Sequence, residues 1–156
     1  MDNYEIDVLA RLRAAIGNGK HPGPVAEREI NAAEKTLGVR FPTSYRVFLQ
    51  HFGAVWLPAS YAIAGLGPGR STDPEPPLWE HVVDVTLRLR RASRGLIPFE
   101  YVRISDDGGD LALYLDTDRW DEFRECPVIE LGPGSDSICI ATSFVKFIEG
   151  AVAGRF

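Results

Sequence analysis

The chain has 156 residues, of which 45% are hydrophobic and 10% aromatic, and this composition excludes a largely disordered protein because it supports a buried core. The 22 acidic and 17 basic residues give a formal net charge of −5. This sign argues against a DNA-binding protein and favours a basic partner, although a modest negative charge also serves ordinary solubility.

Three helices are predicted in the first third of the chain. Apolar residues recur at helical spacing over residues 4–16 and again over residues 25–37, where Gly38 supplies the left-handed turn that ends a helix. An aromatic stripe predicts the third helix, which begins at Pro42 and ends at Gly53. Such a stripe is typical of core packing.

The hydrophobic period changes after the third helix. Residues 54–57 and 61–66 are short β-like runs, and the proline-rich stretch 67–77 predicts an exposed loop. A fourth helix is predicted from Leu78, because Leu78, Val82, Val85 and Leu89 share one helical face. Its C-terminal end carries four arginines, which stabilise the negative end of a helix dipole: Arg88, Arg90, Arg91 and Arg94.

The second half of the chain reads mostly as strands. Residues 96–104 and 111–115 flank a glycine-rich turn at 105–110, which predicts an antiparallel hairpin. In the second of these strands, alternation predicts that the three leucines face one side of the sheet while Ala112 and Tyr114 face the other.

The end of the chain completes the predicted fold. An acidic and aromatic loop at 116–123 leads to a strand at 127–131 and to a final helix that Thr142 caps. Together the elements predict one α+β domain over residues 1–156, with helices packed on one side of a mainly antiparallel sheet. No internal repeat and no linker indicates a second domain.

The cysteines and the N-terminus bear on location. Cys126 and Cys139 form no zinc-type or disulfide-type spacing, so free thiols in a reducing compartment are expected. The first five residues are acidic rather than apolar, and no stretch reaches the roughly 20 apolar residues that span a membrane. A cytoplasmic protein is expected.

One block of residues resembles a known family. The chain from Glu29 to Leu49 carries a helix with an internal glutamate, then Leu-Gly, then a proline, a tyrosine and a closing leucine. This order resembles the N-terminal signature of the SUKH superfamily, in its SMI/KNR group. The matching residues are Glu34, Leu37, Gly38, Pro42, Tyr45 and Leu49, while Phe41 replaces the commoner leucine.

Later segments extend the resemblance. The turn formed by Asp107, Gly108, Gly109 and Asp110 is similar to the family's glycine-rich hairpin, and the final helix resembles the family's last one. The resemblance covers residues 25–150 and leaves residues 1–24 as an N-terminal helical extension.

The resemblance implies a protein-recognition scaffold. Many bacterial members are immunity proteins that neutralise the cognate toxin of a polymorphic or contact-dependent system, and the compact chain favours that type. The alternative is an intracellular regulatory or scaffolding module of the same fold whose partner is not a toxin. A protein partner is expected in either case, with no role for nucleic acid, a membrane or a cofactor.

Chemistry beyond binding has weak support from the residues. The acidic residues around the turn and the following loop raise the idea of a metal site, but their spacing does not fit a calcium loop, and aspartates beside glycines are ordinary turn residues. None of the histidines His21, His51 and His81 lies in a catalytic motif. No catalytic, cofactor-binding or metal-binding residue is therefore predicted.

Candidate partner-binding residues are bulky or charged groups in predicted loops. Aromatic anchors with a charged rim are typical of protein interfaces, although tryptophans also cover the edge of a core. The candidates are Trp56, Tyr61, Trp79, Glu80, Asp118, Trp120, Asp121 and Glu122. The role of Glu34 stays open between a solvated side chain and a cap for the next helix.

Overall fold

A computed structural model of the chain describes residues 1–57, 61–67 and 79–156. The helices are α1 (Asn3–Ile16), α2 (Glu27–Leu37), α3 (Thr43–His51), α4 (Val82–Ser93) and α5 (Phe144–Val152). The strands are β1 (Val55–Trp56), β2 (Ala62–Ile63), β3 (Tyr101–Asp106), β4 (Ala112–Asp116), β5 (Val128–Leu131) and β6 (Ile138–Ala141). The expected loop at 68–77 and residue Leu78 lie outside the described residues. The start of the fourth helix was predicted too early, since His81 caps α4 and the helix begins at Val82.

The strands confirm the α+β fold. Strands β3, β4, β5 and β6 form one antiparallel sheet in chain order, and β1 pairs with β2 in a separate antiparallel pair. The helices and one face of the sheet share the main core. The sheet contributes Val102, Ile104, Leu113, Leu115 and Val128 to that core. As expected, Ala112 and Tyr114 belong to a second, smaller cluster.

Helix α1 is part of the main core, even though the family resemblance leaves it outside. Val8 and Leu12 are fully buried, and Ile16 is almost so. Arg11 forms an ion pair with Glu149 of α5. Helix α1 therefore packs into the same core as the helices that follow. None of the described helices is long and apolar enough to span a membrane.

The first strand of the predicted hairpin was placed too early. Arg94 and Gly95 both have positive φ, so α4 ends in a left-handed turn, and the chain reaches β3 only at Tyr101. Leu96, which the prediction placed in the strand, is 86% exposed. The strand then continues to Asp106, two residues beyond the predicted end.

Two features near the end of the chain also differ from the prediction. Strand β6 was not expected, because it is only four residues long and follows a Gly-Pro-Gly turn, and so short a segment shows no clear alternation of apolar and polar residues. The cap of α5 is Ser143 rather than Thr142, since the Ser143 hydroxyl accepts a hydrogen bond from the Lys146 amide and its side chain is buried.

Gly65 lies where two segments of backbone meet. Its amide donates to the Glu80 carbonyl, and its own carbonyl accepts from Val82 at the start of α4. A Cβ at this position would lie 1.7 Å from the carbonyl oxygen of Gly53. Only glycine therefore allows this approach of the two backbones.

We expect Gly65→Ala to lower the free energy of unfolding by about 3 kcal/mol, because backbone must move to admit the methyl group. Gly109→Ala is the matched control, since the nearest atom to its Cβ would be 3.4 Å away, on an exposed turn. Urea unfolding of both variants measures the difference. A loss at Gly65 no larger than that at Gly109 would contradict the close approach.

Candidate functional site

The signature residues build the junction between α2 and α3. Gly38 ends α2 in a left-handed conformation with φ of 71°, and its amide donates to the Glu34 carbonyl at 2.8 Å. A Cβ on Gly38 would lie 3.0 Å from the ring of Phe99. Leu37, the preceding residue, is fully buried. Gly38 therefore allows the left-handed turn that ends α2 and also allows the Phe99 ring to pack against that turn.

Arg90 ties α4 to this junction. Its guanidinium donates to the carbonyls of Leu37 and Phe99 at 2.9 and 2.8 Å, and it also lies 3.9 Å from the centre of the Phe99 ring. The sequence explained this arginine by the dipole of its own helix. The structure places it in the last turn of α4, as expected, and shows that it also caps the end of α2.

Glu34 forms an ion pair with Arg46 of α3 and is 16% exposed. Arg46 also forms an ion pair with Glu27, so one arginine of α3 contacts two glutamates of α2. The glutamate is thus neither solvated nor a cap for the next helix. It links α2 to α3 through a partly buried charge pair.

Tyr45 and Leu49 lie in the core beneath this junction, and both are fully buried. The Tyr45 hydroxyl donates to the Ala64 carbonyl at 2.7 Å, and burial raises the pKa of that phenol far above its usual value. Pro42 precedes the first residue of α3 and carries no capping group. Another residue must therefore satisfy the free amides of that helix.

Glu125 supplies this cap, and the sequence did not indicate it. Its carboxylate is 1% exposed and accepts from the amide and the hydroxyl of Ser44 at 2.9 and 2.8 Å. The hydroxyl of Tyr4 on α1 also donates to it, at 3.0 Å. The Ser44 hydroxyl in turn accepts from the Val145 amide of α5. The carboxylate therefore links α1 to α3 directly, and the Ser44 hydroxyl extends this network to α5.

Burial raises the pKa of the Glu125 carboxyl, while the hydrogen bonds from Ser44 and Tyr4 act in the opposite direction. Burial is the larger of these effects, so the net direction of the pKa is upward. A single glutamate after an acidic loop reads as a surface residue in the sequence, so no pattern would have singled it out.

The segment from Asp116 to Arg124 is a loop ordered by its own hydrogen bonds, and we call it the Trp120 loop. The Asp116 carboxylate accepts from Arg119 and from the Asp118 amide. The Asp121 carboxylate accepts from the amides of Phe123 and Glu125 at 2.8 and 2.9 Å. Two of its acidic side chains therefore have a structural role within the loop.

Trp120 is presented by this loop in a fixed position. Its indole N–H donates to the Thr117 carbonyl at 2.6 Å, yet 43% of the residue remains exposed. Phe123, on the same loop, stacks on Tyr4 of α1 with ring centres 5.0 Å apart. A large aromatic group is therefore displayed to solvent on a rigid support.

A groove runs beside this tryptophan. It comprises two adjoining cavities of about 680 and 610 Å³, which share Asn31, Glu34, Arg40 and Trp120. Phe99, which is 53% exposed, lines the first cavity. We call this depression the Trp120 groove. It brings signature residue Glu34 and candidate residues Trp120 and Asp121 to one place.

The charges of the Trp120 groove are balanced. Its acidic side chains are Glu5, Glu34, Glu100 and Asp121, and its basic side chains are Lys35, Arg40, Arg46 and Arg124. A mixed rim favours a partner with a matching charge pattern rather than a uniformly basic one. The general preference for a basic partner, drawn from net charge, therefore does not extend to this surface.

The other candidate residues lie elsewhere. Trp56 lies on β1, and Tyr61 directly precedes β2. The Leu57 amide donates to the Tyr61 carbonyl, and the Tyr61 ring packs edge-on against Phe147. Trp79 and Glu80 line a separate small cavity of about 170 Å³. Asp118 and Glu122 are exposed on the Trp120 loop. The structure thus does not gather all eight candidates into one site.

The glycine-rich turn has the geometry of a turn. The Asp107 carboxylate accepts from the amides of Gly109 and Leu111, and Gly108 has φ of 81°. Asp106 accepts from the Gly108 amide and pairs with Arg103. Over the described residues, no three potential ligand side chains come together in a way that would hold a metal ion.

A family model matches residues 24–150 of the chain, and its description is the SMI1 / KNR4 family (SUKH-1). The chain belongs to this family. The match begins just before α2 and so leaves out α1, which the structure packs against the matched region. No curated protein matches the chain.

Proposed function

We propose that this family member is an immunity protein: it binds a cognate toxin domain through the Trp120 groove and blocks the toxin's active site or holds the toxin in an inactive conformation. The observation that carries the proposal is Trp120 itself, which is 43% exposed but fixed by its own hydrogen bond beside an open groove. Protein interfaces concentrate their binding energy on such aromatic anchors.

The order of the Trp120 loop supports a binding role. Loop side chains and amides are already engaged with each other through Asp116 and Asp121. A loop that is ordered before the partner arrives loses little conformational entropy on binding. The carboxylates of Asp116 and Asp121 are occupied by these hydrogen bonds within the loop, which favours a binding role over a catalytic one.

The location follows from the proposed role. An immunity protein acts where its toxin arrives, which for a toxin delivered into bacteria is the cytoplasm. Both cysteines are free thiols, buried at Cys126 and exposed at Cys139, as expected in a reducing compartment.

We expect this chain to rescue a bacterial host from the toxic C-terminal domain of a secreted protein encoded beside it, because binding removes the toxin's activity. The toxic domain is induced with and without the chain, survival is counted, and the complex is isolated through a tag on the toxin.

Rescue together with a co-purifying complex supports immunity by direct binding. Death of the host despite good expression of the folded chain would contradict the immunity role. A regulatory or scaffolding module with a non-toxin partner would then be the better description.

A further inference from the structure

Strand β6 is the last strand of the main sheet, and no strand among residues 1–57, 61–67 and 79–156 pairs with its outer edge. An outermost strand presents backbone N–H and C=O groups that can pair with another chain. Proteins usually protect such edges with charged residues or proline. The sequence of β6 is Ile-Cys-Ile-Ala and carries neither.

The side chains of β6 add an apolar surface to this edge. Ile138 is 57% exposed and lies opposite Glu130 of β5, while Cys139 is exposed opposite Ile129. The turn before β6 is ordered, because the Gly132 amide donates to the Ser135 hydroxyl and the Ser135 amide returns to the Gly132 carbonyl. The edge is thus fixed in an extended form and has apolar content.

The two ends of β6 differ in charge. The N-terminal end carries Asp136 just before the strand and Glu130 across from its first residue. At the C-terminal end, the Lys146 amine of α5 donates to the hydroxyl of Thr142, the residue that follows β6, at 3.2 Å. Opposite charges therefore lie near the two ends of this short edge.

From this arrangement we propose that β6 pairs with β6 of a second copy of the chain, antiparallel and around a twofold axis. In that orientation the acidic end of each strand meets the basic end of its partner, and the exposed Ile138 side chains are covered. Parallel pairing would place acidic ends together. An interface of this kind is self-complementary, as twofold dimers require.

The length of the edge sets the strength of the dimer. Strand β6 has four residues, and the pairing of two such strands buries less surface area than the interface of a stable dimer does. The self-association is therefore weak and depends on concentration. It involves the β6 edge and not the Trp120 groove, so it is independent of the proposed function.

We expect Ile138→Lys to weaken self-association at least about tenfold in sedimentation equilibrium, since the lysine replaces an apolar side chain that the second copy covers with a charged one. Ile6→Lys is the matched control, because Ile6 is 52% exposed on α1, away from the sheet. The control keeps the dissociation constant of the unaltered chain.

Charge reversal tests the orientation. Lys146→Asp weakens the dimer, and adding Asp136→Lys restores it, because the two sites face each other across the axis. Mild oxidation also links two copies through Cys139, which lies near the middle of β6, and Cys139→Ser removes the link; Cys126 is buried and does not interfere.

Three results would overturn the proposal. One is a chain that stays monomeric at millimolar concentration. Another is a dimer that tolerates Ile138→Lys. The third is a monomer whose binding to a toxin domain is lost in Ile138→Lys, which would assign the edge to a strand of that partner instead.

Discussion

Replacing Trp120 by alanine is expected to weaken the complex with the toxin domain at least about 30-fold, which corresponds to roughly 2 kcal/mol. The indole is the largest exposed side chain of the Trp120 groove, and it is already fixed by its bond to the Thr117 carbonyl. The substitution removes apolar surface that the complex would bury. Because the indole is already fixed, burying it costs little conformational entropy. Isothermal titration with a catalytically inactive form of the toxin measures the change.

Trp56→Ala is the matched control for this substitution. Trp56 is exposed to a similar degree, 39%, but lies on β1 away from the Trp120 groove. The dissociation constant should stay within about twofold of that of the unaltered chain. A loss at Trp56 with none at Trp120 would move the binding surface to the β1–β2 pair.

Glu125→Ala is expected to lower the free energy of unfolding by about 3 kcal/mol, because it leaves buried donors on Ser44 and Tyr4 without an acceptor. Helix α3 loses its N-terminal cap, and the contact between α1 and the Trp120 loop is weakened. Urea unfolding measures the loss. Glu122→Ala, on the exposed part of the same loop, serves as the control and should change stability by less than about 0.5 kcal/mol.

The pH dependence separates the charge of Glu125 from its hydrogen bonds. Because burial raises its pKa in the folded state, the stability linked to this group is greatest below the unfolded pKa and is lost as pH rises through the folded pKa. Glu125→Gln keeps an acceptor for Ser44 and has no such titration. Glu125→Gln should therefore unfold at a higher urea concentration than Glu125→Ala. Its stability should also lack the fall with rising pH that the Glu125 carboxyl causes in the unaltered chain. Equal stability of the two variants would contradict the capping role.

The sequence predicted the fold where one pattern determines one element. Helical spacing of apolar residues predicted α1, α2 and α3. Gly38 marked the end of α2, because glycine adopts the left-handed conformation that ends a helix. The hairpin around Gly108 followed from its turn residues. Strand β6 and the start of β3 were missed because short segments near glycine and proline carry little periodicity.

The candidate site was less accessible to sequence reasoning. Trp120 and Asp121 were singled out as loop residues, but the groove beside them depends on Glu34 and Arg40, which come from a distant part of the chain. Glu125 was missed for the same reason, since its partners are Ser44 and Tyr4. Contacts between distant segments leave no local pattern.

Loop position also proved a weak guide to which candidates act together. Trp56, Trp79 and Trp120 all lie in or beside predicted loops, yet Trp79 lines a separate cavity and Trp56 lies on the β1–β2 pair. Only the folded chain shows which aromatic group stands beside a groove.

Hydrogen–deuterium exchange of the chain, alone and bound to the toxin domain that it suppresses, tests the central claim most directly. The account predicts new protection in residues 117–124 and 31–40, which line the Trp120 groove, and little change in β1. Protection confined to other segments, with residues 117–124 exchanging as in the free chain, would contradict it.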